Sequence, residues 1–175
     1  MLKRWLCAAT LICTGGPTLC QAASAERCAD AEHAQFDFWV GDWAVSPTGA
    51  RKVVSHSRIE KLYHGCAIRE NWMPNDHSDG GSLSAYTPRD KGWRQTWIDS
   101  SGAVVQFTGG WNGHAMVLTG DWPTAPGKSQ LVRMTYTRQP DGSVRQLGEA
   151  SNDRGKSWAP NFDFTYRRWD LAKRG

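Results

Sequence analysis

The sequence predicts an all-β protein: one closed antiparallel barrel of about ten strands, with a short N-terminal helical turn. Three observations carry this prediction. Short segments alternate apolar and polar residues with a period of two, as in Val132, Met134 and Tyr136 against Arg133 and Thr135. Turn-forming residues separate those segments at hairpin spacing. Beyond Trp43 no stretch keeps the period of a helix. A meander of hairpins leaves two unpaired edges, and closing the sheet removes them. A two-sheet sandwich is the other architecture the pattern allows.

The 175-residue chain opens with Lys3 and Arg4, an apolar stretch from Trp5 to Cys13, and small residues ending in Ala23-Ser24-Ala25. Basic start, short apolar core and A-x-A end compose a secretory leader, expected to be cleaved after Ala25. The apolar run is shorter than the ~20 residues a bilayer core takes. The expected product, residues 26–175, has the length of one domain. Without Lys3 and Arg4 the formal charge falls from +4 to +2. Basic residues are interspersed with acidic ones, which argues against a nucleic-acid partner. No second apolar run is long enough to span a membrane. Cys28 and Cys66 remain after cleavage, and an oxidising compartment is expected to pair them. Two separate buried thiols are the alternative.

Residues 28–34 can form one helical turn with Asp30 as N-cap. An aromatic plug, Phe36 to Trp43, follows and is interrupted by Gly41. Strand candidates are 42–47, 51–63, 66–73, 82–88, 92–99, 103–109, 114–121, 129–138, 143–150 and 158–168. Between them lie turns such as Pro47-Thr48-Gly49, His64-Gly65, Asn112-Gly113 and Pro140-Asp141-Gly142.

Alternation assigns the inward faces, taking the more aromatic set each time. In 66–73 the inward set is Cys66, Ile68, Glu70 and Trp72. In 92–99 it is Trp93, Gln95, Trp97 and Asp99. Segment 129–138 turns Val132, Met134 and Tyr136 inward, and the last strand turns Phe162, Phe164 and Tyr166. A slip of one residue would invert every assignment. The expected ligand-binding residues are Glu70, Trp72, Gln95, Trp97, Asp99, Met134, Tyr136 and Phe164. Nine of the ten tryptophans follow residue 25. Trp39, Trp43 and Trp158 read as core, whereas Trp72 and Trp97 share a face with polar residues.

Residues 151–158, Ser-Asn-Asp-Arg-Gly-Lys-Ser-Trp, match the Asp-box pattern. One box without repeats does not make a propeller, so it reads as a self-bonded hairpin turn in which glycine takes a positive φ. The loop from Asn75 to Gly80 has the oxygen-rich start of a calcium loop, but Tyr86 stands where the bidentate Glu belongs. The five histidines, at 33, 56, 64, 77 and 114, show no metal-ligand spacing. Neither a metal nor a cofactor is expected.

Gly41-Asp42-Trp43 resembles the G-x-W signature of lipocalin-like (calycin) barrels. In such barrels the Trp plugs the closed end and an Arg from the last strand packs across it; the resemblance puts Trp43 and Arg168 in those structural roles. The runs 36–43, 65–72 and 93–99, together with Val144-Arg145-Gln146 and 151–158, are similar to an exported bacterial lipocalin-like family of unknown function. That resemblance implies a fold and brings no activity. Haem-binding relatives of the nitrobindin kind have a longer glycine signature and a His near the C-terminus, and both are missing here.

The expected function is binding of a small, partly apolar molecule inside the barrel, in the periplasm or outside the cell. One alternative is an enzyme on the same barrel using Glu70 and Asp99. Another is a carbohydrate-contacting surface of exposed tryptophans. The identity of the ligand and the oligomeric state are not legible in the sequence.

Overall fold

A computed structural model describes residues 28–169. The expected leader, residues 1–25, lies outside them. Ten strands occur among the described residues: β1 (Gly41–Pro47), β2 (Ser55–Leu62), β3 (Ala67–Pro74), β4 (Gly80–Thr87), β5 (Gly92–Asp99), β6 (Val104–Trp111), β7 (Met116–Ala125), β8 (Lys128–Arg138), β9 (Val144–Ser151) and β10 (Ala159–Arg168). Each pairs antiparallel with its sequence neighbours, and β1 pairs with β10 to close the ring. The architecture is a closed barrel and not a sandwich.

Every predicted segment overlaps one strand, with most bounds displaced by one or two residues. The second is shorter than its 51–63 reading, because the chain first turns back at Pro47, whose carbonyl accepts the Ala50 N–H at 2.9 Å. The seventh runs past residue 121 to Ala125, because its turn narrows to Pro126 and Gly127. At the N-terminus Asp30 caps as expected, its Oδ1 accepting the His33 backbone N–H at 2.9 Å. The turns that follow end in a 3-10 turn at Asp37–Trp39, and no α-helix forms among the described residues.

The starts of the odd strands and the ends of the even ones meet at one end of the barrel. There Phe36, Trp39, Trp43, Trp93, Met116, Tyr136 and Val144 are buried. Phe36 stacks on Trp39 with 4.8 Å between ring centroids, and Trp39 lies 4.9 Å from Tyr136. Trp43 donates its indole N–H to the Trp39 carbonyl at 2.8 Å. The N-terminal segment thus stops this end with aromatic rings, which bury large apolar area with few rotatable bonds. A Cys28–Cys66 disulfide, with Cα atoms 4.9 Å apart, fastens that segment to the β2–β3 connection.

The inward parity holds on all four assigned segments: Ile68, Glu70, Trp93, Gln95, Val132, Met134, Tyr136 and Tyr166 are buried, while Arg69, Asn71, Arg94 and Ile98 are exposed. The 151–158 turn joins β9 to β10. Asp153 accepts hydrogen bonds from the Ser151 hydroxyl, the Ser157 N–H and the Ser157 hydroxyl at 2.6–2.9 Å. Gly155 has φ +88° and sits against Trp158, whose indole N–H it accepts at 3.1 Å. Arg133 lies over the Trp158 ring and bonds Glu149 at 3.0 Å, on the outer face of its strand.

Candidate functional site

Away from the stoppered end the barrel encloses a cavity of about 160 Å³ that opens to solvent. Its innermost lining is polar and buried: Glu70 on β3, Gln95 on β5, Tyr136 on β8, Gln146 on β9 and Tyr166 on β10. Met134 completes that layer. Around the mouth stand the half-buried rings of Trp72, Trp97, Trp122, Phe162 and Phe164. Trp72 lies 5.7 Å from Phe164, and Trp97 lies 6.4 Å from Trp122, so the rings come in tilted contact pairs.

Strand register builds the floor. Glu70 is directly opposite Ser82 on β4, and Tyr136 is opposite Gln146. Ser57 and Ser82 donate their hydroxyls to the two oxygens of Glu70 at 3.0 and 3.3 Å. Tyr166 donates its hydroxyl to Gln146 Oε1 at 2.6 Å, and Gln146 Nε2 donates to the Tyr136 oxygen at 2.9 Å. Gln95 donates to the Ser84 hydroxyl at 2.9 Å. Buried polar groups need such partners, because a lone one costs several kcal/mol.

Burial pushes the Glu70 carboxyl up to about 7, against the opposing effect of the Ser57, Ser82 and Tyr166 hydroxyls. Burial likewise raises both tyrosine hydroxyls well above their ordinary value, helped by the nearby Glu70 charge. At neutral pH the floor therefore holds two neutral phenols and one carboxyl that is partly ionised.

Of the eight expected ligand-binding residues, Glu70, Trp72, Gln95, Trp97, Met134, Tyr136 and Phe164 line this one cavity. Asp99 does not. Its Oδ2 accepts the Trp97 indole N–H at 3.0 Å, and its Oδ1 accepts the Ser101 N–H and hydroxyl. Burial acts to raise its pKa, but these hydrogen bonds outweigh it and hold the carboxyl below its usual range. Glu70 and Asp99 thus have separate surroundings and no shared cavity. Trp122, Gln146, Phe162 and Tyr166 join the lining although they were not among the expected site residues. Trp122 continues the alternation of Met116, Leu118 and Gly120 one step past the predicted end of that strand. None of the nine tryptophans beyond residue 25 is exposed, so a carbohydrate-contacting surface of exposed tryptophans does not form.

No protein-family model matches the chain, and no curated protein matches it. The closed ten-strand barrel is consistent with the calycin-like fold that the sequence resemblance implies.

Proposed function

We propose that the protein is an exported binding barrel that holds one small, partly apolar molecule between the aromatic mouth and the polar floor. The carrying observation is the gradient of the cavity itself: indole and phenyl rings outside, and inside a buried polar layer in which Glu70 is held by Ser57 and Ser82 and Gln146 by Tyr136 and Tyr166. Pockets of this build fix a ligand's orientation with a few polar groups and hold its body on apolar walls. A cavity of about 160 Å³ is close in size to one known to accept benzene, roughly 150 Å³. A ligand with a single ring or a short chain therefore fits inside, and a longer one extends through the mouth. Export is supported by the leader-like segment before residue 26 and by the disulfide, which oxidising compartments sustain. No helix among the described residues is long and apolar enough to cross a membrane.

Native mass spectrometry of protein purified from its own host tests the reading, since a retained small molecule adds its mass to the folded species. Titration with benzyl alcohol provides a second test, read on the indole N–H resonances. Signals of Trp72, Trp97 and Trp122 should move while those of Trp43 and Trp158 stay. Shifts confined to Trp43 or Trp158 would place binding elsewhere. Acid–base catalysis would rest on Glu70 alone, because the Asp99 carboxylate is engaged in the β5–β6 turn.

A further inference from the structure

Resting on that pocket reading, we infer that the ligand presents a positively charged amine to Glu70 and lays its apolar body between the tryptophans of the mouth. Among the described residues the cavity lining contains no Lys, Arg or His, and Glu70 is its only carboxylate. The groups packed against Glu70 from the neighbouring strands are Ser57, Ser82, Tyr136 and Tyr166, all uncharged at neutral pH. A buried carboxylate normally has a cation beside it or is neutralised by a proton. Here the described residues supply no cation to the cavity, and the cavity leaves room for one.

Hydrogen-bond capacity points the same way. The floor's donors are largely spent within the floor: the Ser57 and Ser82 hydroxyls on Glu70, Tyr166 on Gln146, Gln146 on Tyr136, and Gln95 on Ser84. The Tyr136 hydroxyl faces the weak acceptor Met134 Sδ at 3.5 Å. An ionised carboxylate accepts about four hydrogen bonds; Glu70 receives two from the serines and has the Tyr166 hydroxyl beside it, so acceptor capacity still remains. A primary ammonium brings three donors and no acceptor.

The walls add the third strand. Trp72, Trp97 and Trp122 line the path to Glu70. Ring faces attract cations, and clustered aromatic rings are a recurrent way of recognising ammonium groups. An anionic ligand would meet Glu70 with no cation to offset the repulsion.

The test compares three ligands of one shape: benzylamine, benzyl alcohol and benzoate, titrated into the intact protein and read on the indole N–H resonances. At about pH 8 benzylamine should bind at least about tenfold tighter than benzyl alcohol, and benzoate weakest. Between about pH 8 and about pH 6 benzylamine should lose about tenfold, because Glu70, with its pKa pushed up to about 7, must then release a proton to bind it. In Glu70→Gln the preference for the amine should fall to near unity. The pH profile of the unaltered protein gives the same answer without relying on that variant. Equal or tighter binding of benzyl alcohol or benzoate overturns the cation inference and leaves the pocket reading standing. If none of the three moves the Trp72, Trp97 or Trp122 signals at millimolar concentration, both readings fall.

Discussion

The Arg168 guanidinium lies 4.0 Å above the Trp43 ring, and the two residues are direct cross-strand partners where β1 meets β10. The seam that closes the barrel therefore ends in a cation–π contact. The same guanidinium donates to the Val40 carbonyl at 2.9 Å. Gly41 makes the approach possible: a Cβ there would sit on the guanidinium, and its φ of +150° disfavours other residues. Arg168→Ala is expected to cost about 1–2 kcal/mol, from the lost ring contact and charge-assisted hydrogen bond. Gly41→Ala should also destabilise, because it displaces the same group. Urea midpoints measure both, and an unchanged midpoint in Arg168→Ala would show that the contact carries no stability. Affinity for benzyl alcohol should be unaffected, since the seam lies at the stoppered end.

The disulfide closes a loop of 38 residues. In the chain-entropy treatment a loop of that length stabilises by roughly 4 kcal/mol, and measured losses on removing native bridges run about 2–5 kcal/mol. Cys28→Ser with Cys66→Ser should thus lower stability by about 2–4 kcal/mol and loosen the N-terminal plug first. Hydrogen exchange of the Phe36 and Trp39 amides would report that loosening. Thiol counting on the unreduced protein should find Cys28 and Cys66 blocked, and two free thiols there would contradict the bridge.

Glu70 makes the folded state lose stability as pH rises from the acid range to neutrality. Its carboxyl is raised from an ordinary 4.5 to about 7, so between those values the folded protein holds a proton that the unfolded chain has released. Stability from this group is present below the unfolded value and is lost as pH rises through about 7. At about 1.4 kcal/mol per unit, the loss amounts to about 3 kcal/mol. Glu70→Gln removes the ionisation and keeps a polar group for Ser57 and Ser82. Its stability relative to the parent should therefore grow by up to about 3 kcal/mol between about pH 5 and about pH 8. Parallel pH curves for the two proteins would mean that Glu70 is solvated or already paired.

The period-two pattern was sufficient to place the strands and most of the pocket. Glu70, Trp72, Gln95 and Trp97 face inward because side-chain direction in a strand follows from counting. What escaped depends on longer-range geometry. Trp122 lies past the predicted end of its strand, where Pro123 reads as a turn although β7 continues to Ala125. The bond from Gln146 to Tyr136 requires the β8–β9 register, which a single strand's pattern does not contain. Asp99 has the inward parity but stands at the last position of β5. There the adjoining turn offers it the Ser101 N–H and hydroxyl, and it takes those in place of the cavity. Asp153, by contrast, was readable as a turn former because its partners are local; the Ser157 and Ser151 hydrogen bonds hold its carboxyl down to about 2.

Tryptophans that line the cavity and tryptophans that brace the fold should respond differently to substitution. Trp97 is half-buried, its ring 6.4 Å from Trp122 and its indole N–H held by Asp99 at 3.0 Å, which fixes the ring plane at the cavity wall. Trp72 occupies the corresponding place on β3, beside Phe164. Trp158 is also half-buried, but it packs outside the barrel under Arg133, 4.2 Å from the guanidinium. If the cavity is the binding site, Trp97→Ala should weaken both benzyl alcohol and benzylamine by about tenfold or more, some 1.4 kcal/mol. Trp72→Ala should act in the same direction. Trp158→Ala should lower the urea midpoint and leave both affinities unchanged. Far-ultraviolet circular dichroism of the Trp72 and Trp97 variants should keep the β signature, because the barrel's hydrogen-bonded ring does not pass through these side chains. Normal binding by Trp72→Ala and Trp97→Ala alike would mean that the mouth rings do not contact the ligand, and the proposed pocket would have to be abandoned.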